Sequence, residues 1–158
     1  MKKLILTAVT VFAGLLSINA QQISENAIGL RLGDSDGFGA EVSYQRALGE
    51  NNRLEVDLGW RSARDYDGFK LTGVYQWVYE LDGDFNWYAG AGGGLGSYGF
   101  ENPALDDETF VFIAGNIGIE YHFDIPLLLS LDFRPEFGFG DFNDDLDFDI
   151  ALGIRYKF

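Results

Sequence analysis

His122 is the only histidine in the chain, and a lone imidazole can act as a general base. Such work needs a nucleophile and an orienting acid, and no Ser-His-acid set is identifiable around "GIEYHF". The expectation is an inward, hydrogen-bonded polar residue and no enzyme activity. Gly94 to Gly99 reads G-x-G-x-x-G, a spacing that cradles a pyrophosphate only where a helix follows it. Phe100-Glu101-Asn102-Pro103 follows instead. The glycines therefore read as room for bulky inward neighbours, or as a bend within a strand. Asp141-Phe142-Asn143-Asp144-Asp145 begins like a calcium loop, but Leu146 and Leu152 stand where that loop needs glycine and glutamate. With Asp34-Ser35-Asp36-Gly37 and Asp106-Asp107-Glu108, it is read as a solvated acidic loop. Weak divalent-cation bridging to anionic lipopolysaccharide is the sharper alternative. No cofactor and no metal site is expected.

The remaining ionisable groups fall on segments of period two. Apolar residues at every second position mark strands, and this happens eight times. Ile28 to Leu32, Phe38 to Gln45, Arg53 to Arg61 and Phe69 to Tyr79 are the first four. Phe85 to Ser97 is rich in alanine and glycine, which leaves its two faces unassigned. Ile113 to Phe123, Leu127 to Arg134 and Asp147 to Phe158 complete the set. No stretch has the 3.6-residue period of an amphipathic helix. Tight connections at Ala47–Asn52, Leu81–Asp84 and Asp124–Pro126 alternate with polar, mostly longer ones at Gly33–Gly37, Ser62–Gly68, Gly99–Glu108 and Gly138–Asp145. An up-and-down meander of eight antiparallel strands does this when its two ends face different surroundings.

Periodicity gives two faces without saying which is inside. A lipocalin-like soluble carrier is apolar within, and a transmembrane barrel is apolar without. The polar faces carry acids Glu41, Glu55, Asp57, Glu120, Asp132, Glu136, Asp147 and Asp149, with bases Arg31, Arg53, Arg61, Lys70, Arg134, Arg155 and Lys157. These nearly balance, whereas the connections are strongly acidic. The strand charges are therefore expected to pair with one another in an enclosed lumen, because an unpaired buried charge is costly. Aromatic residues gather at the strand ends: Tyr44, Trp77, Tyr79, Tyr121 and Tyr156 by the short turns, Trp60 by the longer loops. Two such belts suit the headgroup levels of a membrane.

The chain has 158 residues and no cysteine, so it offers neither disulfides nor thiolate chemistry. Aromatic residues make up 16%, too many for a disordered chain. Lys2 and Lys3, the apolar run Leu4 to Leu16 and the small-residue site at Ser17-Ile18-Asn19-Ala20 form a secretory signal peptide over residues 1–20. Residues 21–158 would be the barrel domain. Removal of Lys2 and Lys3 would leave nine bases against 25 acids, a balance that repels nucleic acid.

The last strand, "DFDIALGIRYKF", alternates back from Phe158 through Tyr156. It resembles the C-terminal assembly signal of bacterial outer-membrane barrels. "WYAGAGGGLG", "GIEYHF" and "IPLLLSLDFRPEF" look like the fifth, sixth and seventh strands of the small eight-stranded outer-membrane β-barrel proteins of the OmpA/OmpX type, and the likeness runs over the whole of residues 21–158. It implies an outer-membrane location and an all-β, up-and-down transmembrane barrel; no peptidoglycan-binding domain is expected after that barrel. It also implies outer-membrane lipid, lipopolysaccharide, and the secretion and barrel-assembly machinery as partners. The family's tasks are diverse. A structural or surface-interaction role with acidic extracellular loops and an unknown loop ligand is the first expectation. A lipid-modifying enzyme and a soluble periplasmic carrier are the alternatives.

Overall fold

The computed structural model describes residues 23–35, 38–62, 66–100, 108–139 and 146–158. Residues 1–20, read from the sequence as a signal peptide, lie outside these, as do all or part of the acidic runs at 34–37, 106–108 and 141–145. Eight strands run in sequence: β1 (Asn26–Ser35), β2 (Phe38–Ala47), β3 (Asn52–Ser62), β4 (Tyr66–Asp82), β5 (Phe85–Phe100), β6 (Glu108–His122), β7 (Leu127–Phe139) and β8 (Leu146–Lys157). Each pairs antiparallel with the next, and β1 pairs with β8, so the sheet closes as a barrel. Closure leaves no free edge, which is what a sheet needs in hydrocarbon.

The register fixes the shape. Successive Cα partners lead from Ile28 through Tyr44, Val56, Gly73, Gly93, Ile113 and Phe137 to Leu146. Ile28's own partner on β8 is Tyr156, ten residues further along that strand. With a rise of ~3.4 Å per residue and a strand spacing of ~4.8 Å, this offset tilts the strands by about 40°. Each residue then climbs about 2.5 Å along the barrel axis.

Several strands extend beyond their apolar alternation. β1 continues to Ser35 and re-pairs at Phe38, β4 starts at Tyr66, β5 reaches Phe100 and β6 starts at Glu108. Parts of the connections expected from sequence are thus strand. The reason is physical: alternation records how far an outer face stays apolar, whereas backbone pairing continues past that limit. The two-residue turn between β4 and β5 holds Gly83 at φ 54°, a left-handed conformation that costs glycine nothing.

Candidate functional site: a charged interior in an apolar wall

The two faces are now labelled. Among the described residues, twelve charged side chains lie buried inside the barrel: Arg31, Arg53, Lys70, Arg134, Arg155, Glu41, Glu55, Asp57, Glu120, Asp132, Glu136 and Asp149. Ile28, Leu30, Leu58, Ile117, Leu131, Ile150, Leu152 and Ile154 are exposed on the outside. β8 alternates strictly, with Asp149, Ala151, Gly153 and Arg155 turned in and Ile150, Leu152, Ile154 and Tyr156 turned out. This is the reverse of a soluble carrier, whose apolar face forms the core.

Inside, strand tilt brings distant positions together. Arg31 on β1 bonds Glu41 of β2 (2.9 Å), Asp132 of β7 (2.6 Å) and Asp149 of β8. Arg134 on β7 bonds Glu55 (2.8 Å) and Asp57 (2.6 Å), both on β3. Arg155 on β8 donates to Ser43 (2.9 Å), Ser130 (2.8 Å) and Glu55 (3.0 Å). Arg53 meets Glu120 at 2.7 Å, and Lys70 meets Glu136. Arginine suits these positions because its planar fork engages several carboxylates at once. A charge in such a place is tolerable only while paired.

Neutral side chains join these clusters, and sequence reading singled out none of them. Arg53 Nε donates to Gln76 Oε1 (2.6 Å), Gln76 Nε2 to Asn116 Oδ1 (2.8 Å), and Asn116 Nδ2 to Asp132 Oδ1 (3.3 Å). Gln45 Nε2 donates to Glu55 Oε2 at 2.6 Å. Residue parity would have found them, since each shares its strand face with a charged residue. His122 lies at the turn end of the interior, with Nε2 2.9 Å from Glu120 Oε1 and 3.0 Å from Asn86 Nδ2. Asp147 is half-buried at the loop-end rim and accepts from the Phe148 backbone N–H at 2.9 Å. The Arg61 side chain falls outside the described set.

β5, whose faces the sequence left open, turns Asn86, Tyr88 and the even-numbered glycines inward. Gly94 and Gly96 stand opposite Phe112 and Phe110 on β6, and Gly118 on β6 stands opposite Tyr88. A Cβ at 118 would lie 2.5 Å from the Tyr88 ring, and one at 96 would lie 2.3 Å from Phe110. The glycines are the floor on which these rings rest. Phe110 and Phe112, with Tyr98 packed on them, fill the loop end of the interior. Ala27, Val78 and Leu128 are buried towards the turn end.

The aromatic residues at the strand ends contact one another and their neighbours. Tyr44 donates its hydroxyl to Asn26 Oδ1 at 2.7 Å. Trp77 meets Tyr75 edge-on at 5.1 Å, Tyr79 stacks on Trp87 at 4.7 Å, and Tyr121 contacts Phe85 and Phe123, each at 4.7 Å. Trp60 is 62% exposed towards the loop end, and Tyr156 and Phe158 are exposed at the turn end. The Phe158 backbone N–H donates to Asn26 O (2.9 Å) and its C=O accepts from Asn26 N–H (3.1 Å). The strand proposed as an assembly signal therefore also closes the barrel.

An eight-stranded antiparallel barrel that is apolar outside and charged inside defines a transmembrane β-barrel. No family model and no curated protein matches the chain. Among solved structures, the N-terminal β-barrel domain of Pseudomonas aeruginosa OprF is similar, with a TM-score of 0.68 at 13% identity over 85% of this chain and 98% of that one. Neisserial surface protein A gives 0.57 at 14% identity, over 84% of this chain and 94% of that one. A de novo designed transmembrane β-barrel gives 0.59 at 18% identity, over 89% and 100%. OprF and the neisserial protein are eight-stranded outer-membrane barrels. A likeness shared with a designed barrel carries fold and not task.

Proposed function

We propose that the protein is an integral outer-membrane barrel whose interior is packed shut. It acts as a membrane scaffold that presents acidic loops at the cell surface, and neither as a pore nor as an enzyme. The single observation carrying this is the inversion: the twelve buried charges named above within a wall of exposed aliphatic residues. Such a molecule is stable only where hydrocarbon surrounds it. The interior supports a closed barrel, since eight strands leave room only for side chains and arginines on β1, β3, β7 and β8 cross that space. Phe110, Phe112 and Tyr98 pack together towards one end. Resemblance to outer-membrane barrels supports the location, and the name of the neisserial surface protein is in keeping with a surface role.

Membrane fractionation tests the location. The protein should be recovered with outer membranes and should change gel mobility on boiling; recovery as a soluble periplasmic monomer would end this reading. Planar-bilayer recording tests closure. Little or no steady conductance is expected, and a stable large channel would mean that water rather than packed side chains fills the interior.

A further inference from the structure

Among the described residues, the acids at the centre of the interior outnumber the bases that meet them. Glu41, Glu55, Asp57 and Asp132 meet three guanidiniums, those of Arg31, Arg134 and Arg155. Arg31 is shared further with Asp149. Lys70 is engaged by Glu136, and Arg53 by Glu120. The cluster thus sets four carboxylates against three cations. An enclosed interior cannot leave the fourth charge to water, and an uncompensated buried charge is costly.

The shortfall has a place. Asp57 shares Arg134 with Glu55, and only its Oδ2 accepts a hydrogen bond, at 2.6 Å. Its Oδ1 is buried without one, and so is Thr72 Oγ1. The two residues are Cα partners on β3 and β4, and both are 0% exposed. Directly opposite on one face, their Cβ atoms stand about 5 Å apart, and side-chain oxygens at such a separation can share one small cation. Beyond Thr72 the ladder continues to Gly94 and Phe112, so β5 and β6 bring no charge to this level. Arg134 Nε and Nη1 are unbonded too, but turning them towards Asp57 would satisfy an oxygen without adding charge. No group of three acids or histidines among the described residues is placed to hold a metal ion, which speaks against a multivalent ion.

We propose that the barrel interior binds one monovalent cation, a proton or a sodium ion, at Asp57 Oδ1 with Thr72 Oγ1 as its second oxygen. Either ion supplies the one unit of charge that the count lacks, and either is held by oxygen alone, as small hard cations are. A proton on Oδ1 is donated to Oγ1; a sodium ion lies between the two. The scaffold reading above stands whichever way this site tests.

Infrared spectroscopy and denaturant unfolding test it at neutral pH, on the full chain folded in micelles of an ester-free detergent. Asp57→Asn is the main variant, because it keeps the shape of the side chain and removes its charge. If the cation is a proton, the parent shows the carbonyl stretch of a neutral carboxylic acid and Asp57→Asn loses it. The unfolding midpoint is then the same in sodium chloride as in choline chloride. If the cation is sodium, the parent lacks that band. Replacing choline by sodium at constant ionic strength then raises the midpoint of the parent and leaves that of Asp57→Asn where it was. Thr72→Val keeps the acid and removes the second oxygen. It should move the acid band to the frequency of an unbonded acid in the first case, and shrink the sodium effect several-fold in the second. A parent with neither the band nor the sodium effect would overturn the site, as would a band or a sodium effect that persists in Asp57→Asn.

Discussion

Arg31→Met should destabilise the barrel by about 3–5 kcal/mol, because removing one partner leaves buried charge uncompensated. Three acids meet this side chain, Glu41, Asp132 and Asp149, with Arg134 at 3.7 Å as a second cation for Glu41. Methionine fills a similar volume and removes the one cation that these three acids share. The position also matters for topology. Arg31 belongs to β1 and two of its acids to β7 and β8, so the contacts tie the first strand to the last two. Among the described residues the β1–β8 ladder runs only from Ala27 to Leu32, with the Asn26–Phe158 bonds beyond, whereas β4 and β5 pair from Tyr66 to Asp82. Side-chain bonds across that seam therefore carry a larger share of closure. Denaturant unfolding in detergent micelles, followed by tryptophan fluorescence, reads the effect. Arg31→Lys should fall between, since an ammonium keeps the charge but lacks the fork that reaches three carboxylates. An unchanged midpoint for Arg31→Met would mean that the three acids do not need the Arg31 cation.

Leu152→Arg should be nearly as damaging, for the opposite reason. Leu152 is 44% exposed on the outer face of β8 and pairs with Leu32 on β1 and Leu131 on β7. An arginine on the lipid face near the midplane of a barrel costs about 2–4 kcal/mol. Folding yield in lipid vesicles should fall steeply. Asp149→Asn, three residues away and turned inward, keeps size and polarity and should cost less. If Leu152→Arg folded as well as the parent chain, the outer face would not be in hydrocarbon.

Much of this architecture was legible because a barrel wall writes its two sides into alternate residues. Asp149-Ile150-Ala151-Leu152 announces in, out, in, out, and one closed sheet leaves few other ways to satisfy eight such stretches. Acid–base balance then indicated which face was enclosed. β5 failed the same test because glycine has no side chain to alternate; its parity was carried only by Asn86-Trp87-Tyr88. The partner of each charge was not legible either. Arg31 meets Asp132 across 101 positions, a contact set by strand tilt and register and invisible to spacing. Gln76 and Asn116 were passed over because neutral amides look alike on a loop, on a rim or inside. The surface role proposed above rests on the loops, whose composition names no ligand.

The central claim is that the aliphatic face meets lipid and the charged face meets itself. Residue-level photolabelling tests it in the unaltered chain. The protein is folded into vesicles containing a phospholipid with a diazirine on its acyl chain, irradiated, and mapped by mass spectrometry. Label should fall on Ile150, Leu152 and Ile154 and skip Ala151, Gly153 and Arg155, with the same alternation at Leu30 and Leu131 against Arg31 and Asp132. Label on the charged set, or none on the aliphatic set of a folded barrel, would contradict the account.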